Sequence, residues 1–176
     1  MATTTWIIDP SHSEIQFKIR HLMITNVTGS FQAFTSTVET EGDDFTKAKI
    51  RFTATVDSIT TGNEQRDAHL KSPDFFETEK YPELVFEANS LSSKGGDEYE
   101  AEGDLTLHGV TKKVKISVEA GGVVKDPYGQ TKAGFSVAAK INRKDFGLNW
   151  NAATEAGGVV VSDEVRVSAE VQYVKQ

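Results

Sequence analysis

The chain has 176 residues, 38% hydrophobic and 26% charged, with no cysteine and a formal net charge of −7. That profile fits one globular domain over residues 1–176 and excludes disulfides, thiolate metal sites and a cysteine nucleophile. An acidic chain with dispersed lysines and arginines is a poor partner for nucleic acid, and it argues against docking on an anionic membrane surface.

The opening Met1-Ala2-Thr3-Thr4-Thr5-Trp6 has no basic segment followed by an apolar one, as a leader would. The expected location is cytoplasmic for the chain as written, or periplasmic if a leader has been removed. No apolar run approaches the roughly 20 residues of a spanning helix, so stable membrane insertion is not expected.

Alternation of apolar and polar residues dominates the remainder of the chain. Long strands are expected at 14–24 and 28–38, the second being the least regular, and at 47–57, where Ala48, Ile50, Phe52, Ala54 and Val56 share one face. Residues 60–82 break the pattern. Thr61-Gly62-Asn63-Glu64 reads as a capping box with Thr61 as N-cap, opening a short helix through Leu70. Ser72-Pro73 then starts a second turn and Tyr81-Pro82 ends the excursion. Strands resume at 83–91, 97–107, 111–124 and 131–141. In a second break, at 142–158, Asn142 is read as capping a single turn that Gly147 ends. A last strand covers 163–175. Turn signals separate most of these strands, among them Lys94-Gly95-Gly96-Asp97, His108-Gly109, Asp126-Pro127-Tyr128-Gly129 and Gly157-Gly158.

Strands that succeed one another directly favour an antiparallel up-and-down meander. The expectation is an all-β fold, an eight-stranded antiparallel barrel with a short helical excursion after the third long strand. Such a barrel is either filled by side chains or holds one small ligand. The inward faces mix small residues (Ala48, Ala54, Ala88, Ala101, Gly103, Ala133, Ala139, Ala169) with large ones (Phe17, Phe52, Phe86, Leu105, Phe135). Small residues in mid-strand would leave an apolar hollow suited to a hydrocarbon chain. They would equally fit the taper of a filled barrel, or a sandwich without a hole.

Several stretches carry a family resemblance. Trp6-Ile7-Ile8-Asp9-Pro10-Ser11-His12-Ser13-Glu14-Ile15-Gln16-Phe17, Val27-Thr28-Gly29-Ser30-Phe31 and Ser58-Ile59-Thr60-Thr61 are three of them. Arg66-Asp67-Ala68-His69-Leu70-Lys71-Ser72-Pro73-Asp74-Phe75-Phe76 is the most specific. Tyr81-Pro82, Gly103-Asp104-Leu105-Thr106-Leu107-His108-Gly109-Val110-Thr111 and Asn142-Arg143-Lys144-Asp145-Phe146-Gly147-Leu148 come next, in order. Together they resemble the YceI-like proteins over nearly the whole chain. The resemblance implies an extended lipocalin-like barrel that binds polyisoprenoids, isoprenoid quinones or other long-chain amphiphiles. Many relatives are exported.

On this reading the expected ligand contacts are Phe17, Ile19, His21, Phe52, Ala54, Leu84 and Phe86, with Leu105, Phe135, Val137, Phe146 and Trp150. His21 is in phase with Ile15, Phe17 and Ile19 and should point inward, either to a head group or to a protein partner. Arg66, His69 and Arg143 are the head-group candidates. Arg66 could meet a pyrophosphate, or Arg66 and Asp67 could pin the helix to the barrel wall by ion pairs. Arg143 and Asp145 could simply clamp their turn, and Phe75, Phe76, Phe146 and Trp150 could plug the cavity or pack as a small core.

No catalytic residue, metal or cofactor is assigned. His12, His21, His69 and His108 lack the His-x-His and His-x-x-x-His spacings. The function expected is binding, storage or transport of a polyisoprenoid, isoprenoid quinone, or fatty acid or amide. The alternative is a hydrolase or isomerase acting on such a lipid in the cavity. Asp67, His69 and Ser72 superficially suggest acyl transfer, but there is no Gly-x-Ser-x-Gly elbow and the residues are too local for a triad. The partner is therefore a long-chain isoprenoid-like or fatty lipid, and a homodimer is left open.

Overall fold

The computed structural model describes residues 3–22, 24–151 and 160–176. The alternating segments form twelve antiparallel strands. They are β1 (Thr3–Ile8), β2 (Glu14–His21), β3 (Thr25–Phe31), β4 (Phe34–Glu41), β5 (Asp44–Thr55), β6 (Ile59–Thr60), β7 (Glu83–Ala88), β8 (Ser92–Gly95), β9 (Glu98–Leu107), β10 (Val110–Lys125), β11 (Thr131–Asn142) and β12 (Val161–Lys175), with helix α1 (Glu64–Lys71) between β6 and β7. Neighbours run β1-β4-β5-β7-β9-β10-β11-β12, and β1 pairs back onto β12, which closes an eight-stranded ring. At the other end of the barrel β12 pairs instead with β2, which leads on to β3 and β6.

This double use of β12 explains two departures from the expected strands. β1, absent from the expected set, and β2 are one strand interrupted by a 3-10 turn over Pro10–His12. The Asp9 N–H donates to Gln172 O at 2.7 Å and the Gln172 N–H donates to Ser13 Oγ at 3.0 Å, so the detour stays stitched to β12. The strand expected at 28–38 is two strands, because the chain bends at Gln32 and Ala33 to leave β6 and join β5. Ser58 Oγ accepts from both freed N–H groups, at 3.1 and 3.0 Å. A bend held by a residue 26 positions away leaves no local sequence signal. The strand expected at 14–24 ends at His21. Met23 and the Gly157-Gly158 signal lie outside the described residues.

Asn63, not Thr61, caps α1, its side chain accepting from the Arg66 N–H. Thr61 stands before the helix, where Asp67 accepts from both its N–H (2.8 Å) and its hydroxyl (2.5 Å). Asn142 and Gly147 bound the second turn as expected, with Gly147 at φ 75°. No helix among the described residues is long and apolar enough to cross a membrane.

One end of the barrel is filled. Trp6 is fully buried and its ring packs on Phe45, which meets Phe135, which meets Tyr173. The polar atoms of this floor are satisfied. Trp6 Nε1–H donates to Thr40 Oγ1 at 2.9 Å, and Tyr173 donates to Ser36 Oγ at 2.8 Å. Burial pushes the Tyr173 phenol up, so it stays neutral.

Hydrogen bonds from Ser11 and then His12 hold the Asp9 carboxyl at about 2, against an ordinary 3.8. A lowered value in the folded state means that Asp9 contributes stability above pH 3.8, which is lost as pH falls through about 2. Asp9→Ala should therefore cost about 1 kcal/mol near neutral pH. The difference from the parent protein, measured by urea denaturation, should shrink as pH approaches 2.

Candidate functional site

Above the floor the interior is hollow. Val114, Ile116, Phe135, Val137, Ala139, Val167, Ala169 and Val171 point inward from β10, β11 and β12, yet each is only half-buried, because each faces an empty apolar cavity of about 190 Å³. Phe45, Ile50, Phe52, Phe86, Leu91 and Leu105 form the opposite wall. A second cavity of about 270 Å³ lies at the α1 end, lined by Ile19, Val27, Leu70, Phe75, Phe76, Leu107, Leu148, Trp150 and Val165 among others. Phe17, Phe31, Leu84, Ile141 and Val167 line both, so the two chambers adjoin. Together they reach the roughly 300–1,000 Å³ typical of small-molecule sites.

Both chambers present an almost wholly apolar surface, and they differ in which polar residues border them. Among the described residues Gln16 and Tyr173 are the polar linings of the deep one, and the Tyr173 hydroxyl is occupied by Ser36. The outer one carries Arg20, His21, Thr61, Arg66, His69 and Arg143. The pair is thus apolar throughout, with polar and cationic side chains at the border of the outer chamber alone.

Of the expected contacts, Phe17, Phe52, Leu84, Phe86, Leu105, Phe135 and Val137 line the deep chamber, and Ile19, His21 and Trp150 line the outer one. Ala54 and Phe146 line neither. Both are fully packed, Ala54 with Ile15, Phe31, Val56 and Ile59, and Phe146 in the main core. Ala48, Ala88, Ala101 and Ala133 are likewise buried among core side chains. Gly103 is small because the Phe86 ring crosses it, and a Cβ there would stand 2.4 Å from Glu87 O. Only Ala139 and Ala169, of the small residues on the inward faces, border the hollow. His21 keeps its inward phase, but it is the last residue of β2 and is exposed at the mouth.

Arg66 makes no ion pair among the described residues. Its Nε–H donates to Thr61 Oγ1 at 2.7 Å and an NH2 hydrogen to Thr61 O at 2.8 Å. Its remaining donors have no partner among the described residues, and it lines the outer chamber. His69 Nε2 lies 2.9 Å from Asp74 Oδ2, and its ring meets Phe75 and Trp150 edge-on at 5.0 Å. Ser72 donates to the His69 carbonyl oxygen at 2.6 Å, so Asp67, His69 and Ser72 form no triad.

Arg143, 3% exposed, is committed to the backbone. Nε–H donates to Ser162 O at 2.8 Å, NH1 to Leu148 O and Trp150 O at 2.6 and 2.8 Å, and NH2 to Val161 O at 3.3 Å. Burial lowers its pKa and Asp163 acts the other way, but an arginine remains charged at neutral pH. Among the described residues no group of three or more His, Cys, Asp or Glu could hold a metal ion.

A closed eight-stranded antiparallel ring with a helix near one end and an apolar hollow defines a lipocalin-like barrel. The chain belongs to the YceI-like family, whose domain model matches residues 6–173. A UPF0312 protein of Staphylococcus aureus is 39% identical over 171 residues, 97% of each chain. The crystal structure of the Campylobacter jejuni YCEI protein is 32% identical and superposes with a TM-score of 0.77, covering 90% of this chain and 91% of that one. A polyisoprenoid binding domain from Saccharophagus degradans implicated in plant cell wall breakdown shares the fold at 17% identity, with a TM-score of 0.74 and coverage of 97% and 98%.

Arg143→Met would take the guanidinium donor from the Leu148, Trp150 and Ser162 carbonyls, while Val161 O keeps the Asn151 side-chain amide at 2.7 Å. It should cost about 3 kcal/mol or more, read as a fall in the urea midpoint. An unchanged midpoint would mean that the clamp is dispensable.

Proposed function

We propose that this protein binds, stores or carries a long-chain amphiphile and catalyses nothing. The ligand class is a polyisoprenoid, an isoprenoid quinone, or a fatty acid or amide. The hydrocarbon tail occupies the deep chamber and the head group sits in the outer one, beside Arg66, His69 and His21. The observation that carries this reading is the half-buried state of the inward apolar residues of β10 to β12. In a filled barrel they would be buried against one another. Leaving apolar surface uncovered costs about 25 cal/mol per Å², which a hydrocarbon guest would return. Membership of the YceI-like family agrees, as does the polyisoprenoid binding named for the Saccharophagus degradans domain.

The orientation comes from chemistry. A head group buried in the deep chamber would find little but apolar wall. The mouth offers guanidinium and imidazole groups, and Thr61 already orients the Arg66 guanidinium. Arg143 supports this mouth from behind, tying Leu148 and Trp150 to the start of β12.

Ala169→Phe places a ring in the deep chamber. It should weaken binding of a long prenyl quinone about tenfold or more while leaving the thermal midpoint near that of the parent protein. Undiminished affinity in a folded variant would remove the axial-cavity reading. Arg66→Ala should weaken a polyprenyl pyrophosphate more than a neutral quinone of equal length, measured by tryptophan-fluorescence titration. Equal losses would assign Arg66 to holding the Thr61 loop.

A further inference from the structure

Of the six exposed large apolar side chains among the described residues, Ile7 lies on β1 and the other five lie at the two ends of the barrel. Val123, Val124 and Tyr128 belong to the β10–β11 hairpin, beyond the filled floor. Leu22 (40% exposed) and Ile24 (71%) belong to the β2–β3 turn, beside the mouth. Leu22 is held at φ 52°, a backbone region that leucine rarely adopts, and its N–H donates to Val160 O at 2.8 Å. Val160, Val161, Ile19 and His21 all line the outer chamber. The turn is therefore anchored to the rim and holds apolar side chains out in solvent directly beside the cavity.

The outer wall next to this turn is basic, although the chain as a whole is acidic. Strand register sets Lys140 opposite Arg166, and Arg166 opposite Lys18, in one outward row across β11, β12 and β2. Arg20 stands two residues nearer the turn, and all four are exposed. Two acidic side chains of β12 stand among them, Glu164 at 4.0 Å from Lys140 and 3.5 Å from Arg166, and Asp163 at 3.5 Å from Lys144. Further down the same strands the outward pair is Glu170 and Glu14. Basic side chains nonetheless outnumber acidic ones on the mouth half of this wall, Lys18, Arg20, Lys140 and Arg166 against Asp163 and Glu164. At about 3.3 Å per residue, Lys18 lies some 13 Å from Leu22.

We propose that this edge of the barrel docks on an anionic lipid bilayer. Leu22 and Ile24 enter the headgroup region, and Lys18, Arg20, Lys140 and Arg166 face the lipid phosphates. An acidic protein does this through local charge, because fields beyond about 10 Å are screened at physiological salt. A second copy of the chain is the poorer occupant, since a two-fold contact centred on this turn would bring two basic rows together. The proposal goes beyond lipid carriage by giving the cavity a membrane to exchange with. It does not rest on that reading, because docking is measured without any cavity ligand.

The test is flotation with phosphatidylcholine–phosphatidylglycerol vesicles, compared with pure phosphatidylcholine and with raised salt. The protein should float with the anionic vesicles and release in salt. Ile24→Asp, and Lys18→Glu combined with Arg166→Glu, should each lower the bound fraction about tenfold. Val124→Asp, at the opposite end, should leave it unchanged, and thermal melts confirm that the variants are folded. Four results would overturn the proposal: no flotation with anionic vesicles, binding indifferent to the mouth variants, an equal loss in Val124→Asp, or a dimer in sedimentation that Ile24→Asp dissolves. A protein that binds prenyl quinone but does not float loses only this proposal, and one that floats but takes up no quinone loses only the carrier reading.

Discussion

Pairing of β12 on both flanks is the constraint on which the rest of the structure depends. Along one edge it runs beside β11 over eleven registered positions, Lys132 to Asn142. Along the other it meets β1 near its C-terminal end and β2 over the rest. The pairing with β1 closes the ring around Trp6, and that with β2 extends the wall past the ring toward α1. Had β1 and β2 run straight, one strand would have to serve both a narrow floor and a wider mouth. The 3-10 turn at Pro10–His12 and the bend at Gln32 and Ala33 let the two ends differ.

The closed ring sets a diameter, and side-chain volume decides what fills it. At the floor, Trp6, Phe45, Phe135 and Tyr173 meet ring to ring. Higher up, Ala139 and Ala169 border the hollow from neighbouring strands, and Phe52, Phe86 and Leu105 on the opposite wall leave the space in front of them open. The mouth is held by interactions of another kind. The Arg143 guanidinium gathers carbonyls from Leu148, Trp150, Val161 and Ser162, and Thr61 joins Arg66 to Asp67 ahead of the helix. A buried cation satisfied by backbone carbonyls fixes loop geometry without placing a second ionisable group in the cavity wall. The outcome is a cup with apolar walls and polar and cationic side chains bordering one end, an arrangement that suits the proposed amphiphile.

Much of this was legible in the chain because burial on one side of a sheet imposes a period of two. The faces of β5, β9, β10, β11 and β12 could be read directly, and so could the Asn142 and Gly147 boundaries of the second turn. What could not be read depends on partners distant in sequence. Ala54 and Ala169 look alike in pattern, yet Val56 and Ile59 crowd the first while empty space faces the second. The Ser58 hydroxyl that bends the second long strand belongs to another segment. His21 had the right phase, but the strand ends there, so inward became exposed. Arg143 resembled a head-group ligand because its four carbonyl partners carry no side-chain signature. Charge misled in a comparable way, since a total of −7 conceals the row Lys140, Arg166 and Lys18.

The central claim is that the hollow exists to hold a hydrocarbon chain, and mass spectrometry of the protein as purified tests it most directly, first under native conditions and then after organic extraction. The account predicts a stoichiometric long-chain species that leaves with the solvent and rebinds to the emptied protein. An empty protein that also rejects added polyprenols, prenyl quinones and fatty amides would contradict it.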